Sequence, residues 1–235
     1  MDLSQFKGRH VFVAGGSTGI NFGIAQAFAR AGSLISVISR SQDKVDAAVR
    51  QLHALGAQAL GIAADVRQPE ALQRAFAAAH ERFGDIDVLV SGAAGNFLAS
   101  ALDMSPNAFK TVVDIDLLGS FNVARLAHAH LRKPGACVIQ ISAGQSFIPT
   151  PFQAHVCAAK AGVDMLTRVL ALEWGPQGIR INSIVPGPIA DTEGLKRLAP
   201  TDATLGAMAD RVPLKRLGRI EDIARMAMLL ASDWG

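Results

Sequence analysis

The sequence predicts a doubly wound α/β fold: one parallel sheet with helices on both faces, in a single domain over residues 1–235. Three observations carry that expectation. Short β-rich runs alternate with helical patterns along the chain, the strand runs are mostly apolar, and the first of them ends in a glycine-rich turn. Parallel strands need a crossover between them, usually a helix, and strands buried on both faces lose polar alternation. At 235 residues, half of them hydrophobic, the chain can bury one large core. No internal repeat, low-complexity tract or linker divides it.

The alternation begins with a strand at His10–Ala14 and a helix at Gly19–Ala31. Leu34–Ser39 with Gln42–Leu55, and Ala59–Ala63 with Pro69–Phe83, repeat that pair. Ile86–Val90 is the fourth strand and Pro106–Leu131 the long helix after it. Ala136–Ile141, the helix Gln153–Trp174 and the strand Ile179–Val185 complete the pattern. Gln153–Trp174 contains no proline and a single glycine, and its Ala, Leu, Met and Glu content favours helix. This helix and Pro106–Leu131 are apolar nearly all round, so each must be covered on a second side. A homodimer or homotetramer through segments 106–131 and 152–174 is expected.

Asp191–Arg219 is less regular, rich in glycine and proline, with seldom more than one turn of helical pattern. It follows the last strand, where such sheets place ligands, and reads as a small substrate-covering lobe over residues 191–219. Lys196, Arg197, Arg211, Lys215, Arg216 and Arg219 either contact an anionic substrate or form a solvated surface. A net charge of +3 with both signs interspersed points to no nucleic-acid or membrane partner. Neither a signal-peptide core nor a run of about 18 apolar residues is present. Cys137 and Cys157 lack CxxC spacing and read as buried reduced thiols of a cytoplasmic protein. The six histidines show no metal spacing, and tyrosine is absent altogether.

The first β–α junction, Gly15, Gly16, Ser17, Thr18, Gly19 and Ile20, brings backbone N–H groups and a helix N-terminus toward a phosphate. Its Gly-x-x-x-Gly spacing differs from the common G-x-G-x-x-G, and alone could be a tight turn. After the second strand stand Ser39, Arg40 and Ser41, where an NAD site wants a carboxylate and a 2′-phosphate wants arginine and hydroxyls. NADP(H) is therefore the expected cofactor, unless Arg40 is simply exposed. Asp65-Val66 either meets the adenine or supplies a cap for the next helix. Gly92, Ala93 and Ala94 are small enough to admit a cofactor close to the backbone. Lys160 lies in the most apolar half of its helix, so it either has a partner or snorkels to water.

These pieces resemble, over essentially the whole chain, the Rossmann-like short-chain dehydrogenase/reductase family. The resemblance rests on AGGSTGI, DVLVSGAAG, DIDLLG, Ser142, Lys160 and the PGPI of Pro186, Gly187, Pro188 and Ile189. It implies NAD(P) contacts from Pro186, Gly187, Ile189 and Lys160, and catalysis by a Tyr-x-x-x-Lys pair with a serine and an asparagine. Here the tyrosine position is Val156, the asparagine position is Asp116, and the serine is Ser142 or Ser146. Valine cannot transfer a proton, which excludes the usual ketone–alcohol route.

GNFLASALDMSPNAFKTVVDIDLLGSFNVAR, HVCAAKAGVDMLTRVLALEWGP and PGPIADTEGLKRL look more narrowly like the peroxisomal type of 2,4-dienoyl-CoA reductase. That resemblance implies hydride transfer from NADPH to a dienoyl or enoyl thioester. The proton would come from a water held by Asp116 and Lys160. Asn96, Phe97 and His155 would lie near the substrate. Asp116 could also be a buried helix acid satisfied by a backbone N–H, and His155 could be merely packed. Ser91, Asn21 and Gln145 depart from family patterns. The family's usual final strand lies past Trp234-Gly235, and no Ser-Lys-Leu peroxisomal address is in the sequence, although a tail beyond Gly235 could carry one, which leaves a peroxisomal location open beside the cytoplasmic one. Two rivals stand beside this reading: an oxidoreductase acting on another carbonyl or alcohol, and a catalytically inactive NADP-binding protein.

Overall fold

A computed structural model describes residues 2–199 and 201–235. Six parallel strands form one sheet in the order β3-β2-β1-β4-β5-β6. They are β1 His10–Ala14, β2 Leu34–Ser39, β3 Ala59–Ala63, β4 Val88–Ser91, β5 Cys137–Ile141 and β6 Arg180–Ile184. The helices are α1 Gly19–Arg30, α2 Gln42–Ala54, α3 Pro69–Phe83, α4 Pro106–Val113, α5 Gly119–Ala127, α6 Ala154–Trp174, α7 Glu193–Leu198, α8 Asp202–Arg211 and α9 Ile220–Ala231. The order reverses direction between β1 and β4, so their C-terminal ends diverge into a crevice.

Side-chain alternation along each strand feeds two separate cores. Val11 and Val13 of β1 face α1, α2 and α9, with Ile24, Phe28, Leu52 and Ala227 packed there. Phe12 and Ala14 face the opposite layer of α3, α5 and α6, among Leu72, Phe76, Val123 and Leu170. The Phe12 and Phe76 rings lie 4.4 Å apart between centroids. The two layers fully bury the central strands β1, β4 and β5, which is why these are apolar runs, while the edge strands β3 and β6 are only partly covered.

The expected alternation is present, with instructive differences. β4 begins at Val88, two residues later than Ile86, because Asp87 turns its carboxylate inward to accept the His10 N–H at 2.8 Å. Ile86 makes only an isolated bridge to Leu131. The long helix expected over Pro106–Leu131 is not uniform. A π-helical turn, Asp114–Leu118, separates α4 from α5, and a 3-10 turn at His128–His130 ends the run. In the expected lobe, α8 is regular for ten residues and carries a capping box at Thr201 and Thr204. A helix not expected from the alternation, α9, follows the lobe: Ile223, Ala224, Ala227, Met228 and Ala231 form its buried face, and Asp222 accepts the Arg219 N–H at its start.

Cys137 is buried, and burial pushes its thiol up to about 11. Cys157 is half-buried rather than enclosed, and both cysteines are free. On the outer side of the α4–α6 layer, Phe109, Leu118, Phe121, Met165, Val169 and Leu172 remain exposed. The two helices are thus apolar on a face that this chain does not itself cover.

Removing the ring that joins strand to helix in the second core tests how closely it is packed. Phe76→Ala, measured by urea unfolding, is expected to cost about 3–5 kcal/mol, the range for truncating a buried aromatic side chain.

Candidate active site

The C-terminal strand ends, the turns after them and the lobe enclose a cavity of about 940 Å³. At one end it is lined by the β1–α1 turn through Gly15, Ser17, Thr18, Gly19 and Ile20, with Ser39, Arg40 and Ser41 beside it. Asp65, Val66, Gly92, Ala93 and Ala94 continue the wall, and Pro186, Gly187 and Ile189 close the far side. Asp116, Ser142, Lys160 and Asn96 line the same cavity. Apart from Gly16, every residue expected to meet the nucleotide therefore borders one space with the three expected catalytic residues.

The chemistry centres on a buried pair. Lys160 is 5% exposed and Asp116 1% exposed, so the lysine does not snorkel. Lys160 Nζ donates to Ile141 O at 3.0 Å and stands 3.3 Å from Asp116 Oδ2. Asp116 Oδ1 accepts the Gly95 N–H at 2.7 Å. The backbone-satisfied reading of Asp116 thus accounts for one oxygen only. The other is in ion-pair range of the lysine, without a well-formed hydrogen bond. Burial pushes the Asp116 carboxyl above the ordinary carboxylate range, opposed by the Lys160 charge and the Gly95 N–H.

Two local features make this encounter possible. The π turn adds a residue to the turn carrying Asp116, a form of helix common at functional sites. Gly162, the only glycine of α6, lies where a Cβ would come within 2.7 Å of Leu117 Cδ2 in that turn. A side chain there would require the Leu117 tip to shift, so the glycine lets α6 and the π turn pack closely. Val156, one helical turn before Lys160, lines the same cavity but brings only methyl groups.

A dinucleotide fits what is present. Thr18 at the start of α1 makes no side-chain cap, so the helix's first N–H groups stay open toward the cavity. Ser39 Oγ, Asn96 Oδ1 and Ser142 Oγ are buried without partners, which is costly unless a bound group completes them. Arg40 is exposed and borders the same end of the cavity as Ser39 and Ser41. Lys44, absent from the sequence reading, lines that end too.

Several expectations change. Asp65 does not cap α3, whose cap position is Gln68. It accepts the Arg67 N–H at 2.9 Å and pairs with the Arg67 guanidinium at 2.6 Å, which lowers its pKa. Phe97 and His155 do not line the cavity. Their rings lie 4.2 Å apart, and the fully buried imidazole has no hydrogen-bond partner. Burial pushes the His155 pKa down, opposed by the Asp116 charge. One residue of helix separates His155 from Val156, a rotation of about 100° that carries it off the cavity face. Gln145 lines the cavity and donates to the Gln153 side chain at 3.1 Å.

Ile115, Ile148, Leu198, Met208 and Val212 form an apolar wall that no motif in the sequence marks. The last three come from the lobe, where apolar residues among charges were the available signal. Of the lobe's basic residues, Arg211 lines the cavity and Arg197 donates to Asn96 O at 3.3 Å. Lys196 pairs with Glu193 and Arg216 with Asp222, at the surface.

Residues 14–235 match the family model for enoyl-(acyl carrier protein) reductase. This chain belongs to the short-chain dehydrogenase/reductase family. It is 41% identical over 239 residues to a peroxisomal 2,4-dienoyl-CoA reductase of Arabidopsis thaliana, an alignment covering 97% of this chain and 80% of that protein. A rat (Rattus norvegicus) protein of the same name is 45% identical over 233 residues, covering 98% and 79%. Among solved structures, a short-chain dehydrogenase from Bacillus anthracis superposes with a TM-score of 0.88 at 34% identity, covering 97% and 90%. A short-chain dehydrogenase from Burkholderia cenocepacia, in complex with NADP, gives 0.86 at 25% identity, covering 98% and 93%. Against the tyrosine mechanism of the short-chain dehydrogenases/reductases, Val156 is the departure that any function for this member must accommodate.

Breaking the buried pair tests its energetics. In Lys160→Met the carboxylate loses its counter-charge and stays buried, which is expected to cost about 3–5 kcal/mol at pH 7. A carboxyl whose folded pKa is raised holds its proton more tightly when folded, so it loses stability as pH rises through that value. The deficit relative to wild type should therefore shrink as pH falls toward the carboxylate range, measured by urea unfolding across pH.

Proposed function

We propose that this protein is an NADPH-dependent 2,4-dienoyl-CoA reductase in which a water held by Asp116 and Lys160 supplies the proton. The observation that carries this reading is the buried Asp116–Lys160 pair beside a valine, in a chain without tyrosine. The names of the plant and rat relatives agree with it.

NADPH, when bound, supplies the hydride that reduces the conjugated thioester. The chain's own task is the proton. Reduction spreads negative charge from the thioester oxygen to the α-carbon, which must then be protonated. A water seated beside the pair, accepting from the Lys160 ammonium and donating to Asp116 Oδ2, is oriented by Asp116 as acceptor. The Lys160 charge stabilises the hydroxide left behind, which makes that water a stronger acid. The Gly95 N–H and Ile141 carbonyl keep both side chains from turning away. Ser142, whose hydroxyl has no partner, is available to donate to the thioester oxygen. The apolar wall from Ile148 to Val212 suits an acyl chain and excludes water from the reacting end.

Arg40, with Ser39 and Ser41, is assigned to the 2′-phosphate, and the lobe over 191–219 to covering the substrate. The uncovered apolar face of α4, α5 and α6 is assigned to a second copy of the chain. Among the described residues no helix is long and apolar enough to cross a membrane.

With 2,4-hexadienoyl-CoA, NADPH absorbance should fall, and Asp116→Ala or Lys160→Ala should reduce kcat by about 10²–10³-fold. Arg40→Ala should lower kcat/KM for NADPH roughly tenfold or more while sparing NADH, since it removes a charge-assisted phosphate contact. Turnover of simple ketones without turnover of any dienoyl thioester would instead assign a carbonyl substrate. Light scattering at micromolar concentration should give the mass of a dimer or tetramer, and a monomer would defeat the assignment of the apolar face.

A further inference from the structure

Asn21 occupies the third position of α1, at a point where the family pattern has glycine, and it is almost fully buried. Its Nδ2 donates to Gly92 O at 2.7 Å and reaches Gly15 O at 3.4 Å, the long end of hydrogen-bond range. One amide thus spans the turn after β1 and the turn after β4. The fit is tight: a Cβ on Gly92 would stand 2.4 Å from Asn21 Oδ1. The Gly92 N–H in turn donates to Ala14 O at 3.2 Å, so the start of this turn is gripped from two directions.

Three residues further on, the same turn supplies the Gly95 N–H to Asp116 Oδ1. The path from the nucleotide turn to the acid is short and continuous. It runs from Asn21 to Gly92, along the backbone to Gly95, across to Asp116 and on to Lys160. Each connection is a distance within hydrogen-bond or ion-pair range, and most of the groups are shielded from water. Gly92–Asn96 belongs to no strand or helix; at its far end Arg197 of α7 donates to Asn96 O at 3.3 Å, and at its near end Asn21 holds Gly92.

We propose that Asn21 is a positioning residue. Its amide clamps the 92–96 turn to the nucleotide turn and so fixes the Gly95 N–H that orients Asp116. Asn21 does not itself exchange a proton with substrate, and its effect is exerted through the placement of Asp116. This inference rests on the assignment of Asp116 to the proton path.

Asn21→Asp is the discriminating variant, because it keeps the shape while replacing a donor with an acceptor. Asn21→Ala is the second, removing both. In the cofactor-free protein, amide hydrogen exchange at Gly95 should become about tenfold faster in either variant, with β4 protection unchanged, the factor expected for loss of one hydrogen bond. With saturating NADPH and 2,4-hexadienoyl-CoA, kcat should fall about tenfold. Unchanged exchange at Gly95 in the variants overturns the clamp, whether or not the wild type turns over dienoyl-CoA. Faster exchange with unchanged kcat overturns the link to Asp116, as does a loss confined to NADPH affinity. If the wild type turns over no dienoyl thioester, the proposed function fails, and the exchange result still decides the clamp.

Discussion

A lysine and an aspartate removed from water would ordinarily be a liability, and much of the surrounding architecture serves to make this pair tolerable. Each ion loses several kcal/mol of hydration on burial, and mutual attraction offsets this only when the remaining donors and acceptors are met. Here Ile141 O and the Gly95 N–H meet one position on each side. The strand that ends at Ile141 and the turn that contains Gly95 therefore have to arrive at the same place. Strand order, the crevice beyond β1 and β4, and the close approach of α6 to the π turn are the means by which they do.

Much of this was readable in advance, for a physical reason. Strands buried on both faces and helices buried on one leave periodic signatures, and α3 begins and ends at Pro69 and Phe83 as its pattern implies. The glycine turn, the serines around Arg40 and the four-residue spacing from Val156 to Lys160 are local features, so the sequence displays them directly. The resemblance to a known family then supplied the partner of Lys160, since no local rule connects residues 116 and 160.

What could not be read depends on tertiary detail. The π turn has no propensity signature, because a shift from one backbone acceptor to another is decided by what packs against the helix. Phe97 and His155 adjoin site residues in sequence yet pack against each other away from the cavity. Adjacency on a helix is a rotation of about 100°, so neighbours in sequence commonly face different surroundings. The bridging role of Asn21 depends on Gly92, seventy-one positions away. A substitution pattern alone identifies it as unusual without saying what it touches.

The walls of the cavity are anchored very unequally. The nucleotide turn, Asp116 and Lys160 stand on strands and helices with the two cores behind them. The opposite wall draws on α7 and α8, of which α7 buries Leu195 and α8 buries no residue. Substitutions at Leu198, Met208 or Val212 can accordingly reshape what the cavity admits at little expense to the fold, whereas changes around the pair disturb both stability and reactivity. Evolution, or an engineer, has a free hand on one side of the substrate and almost none on the other. Descendants of this chain would be expected to diversify in what they accept long before they alter how they react.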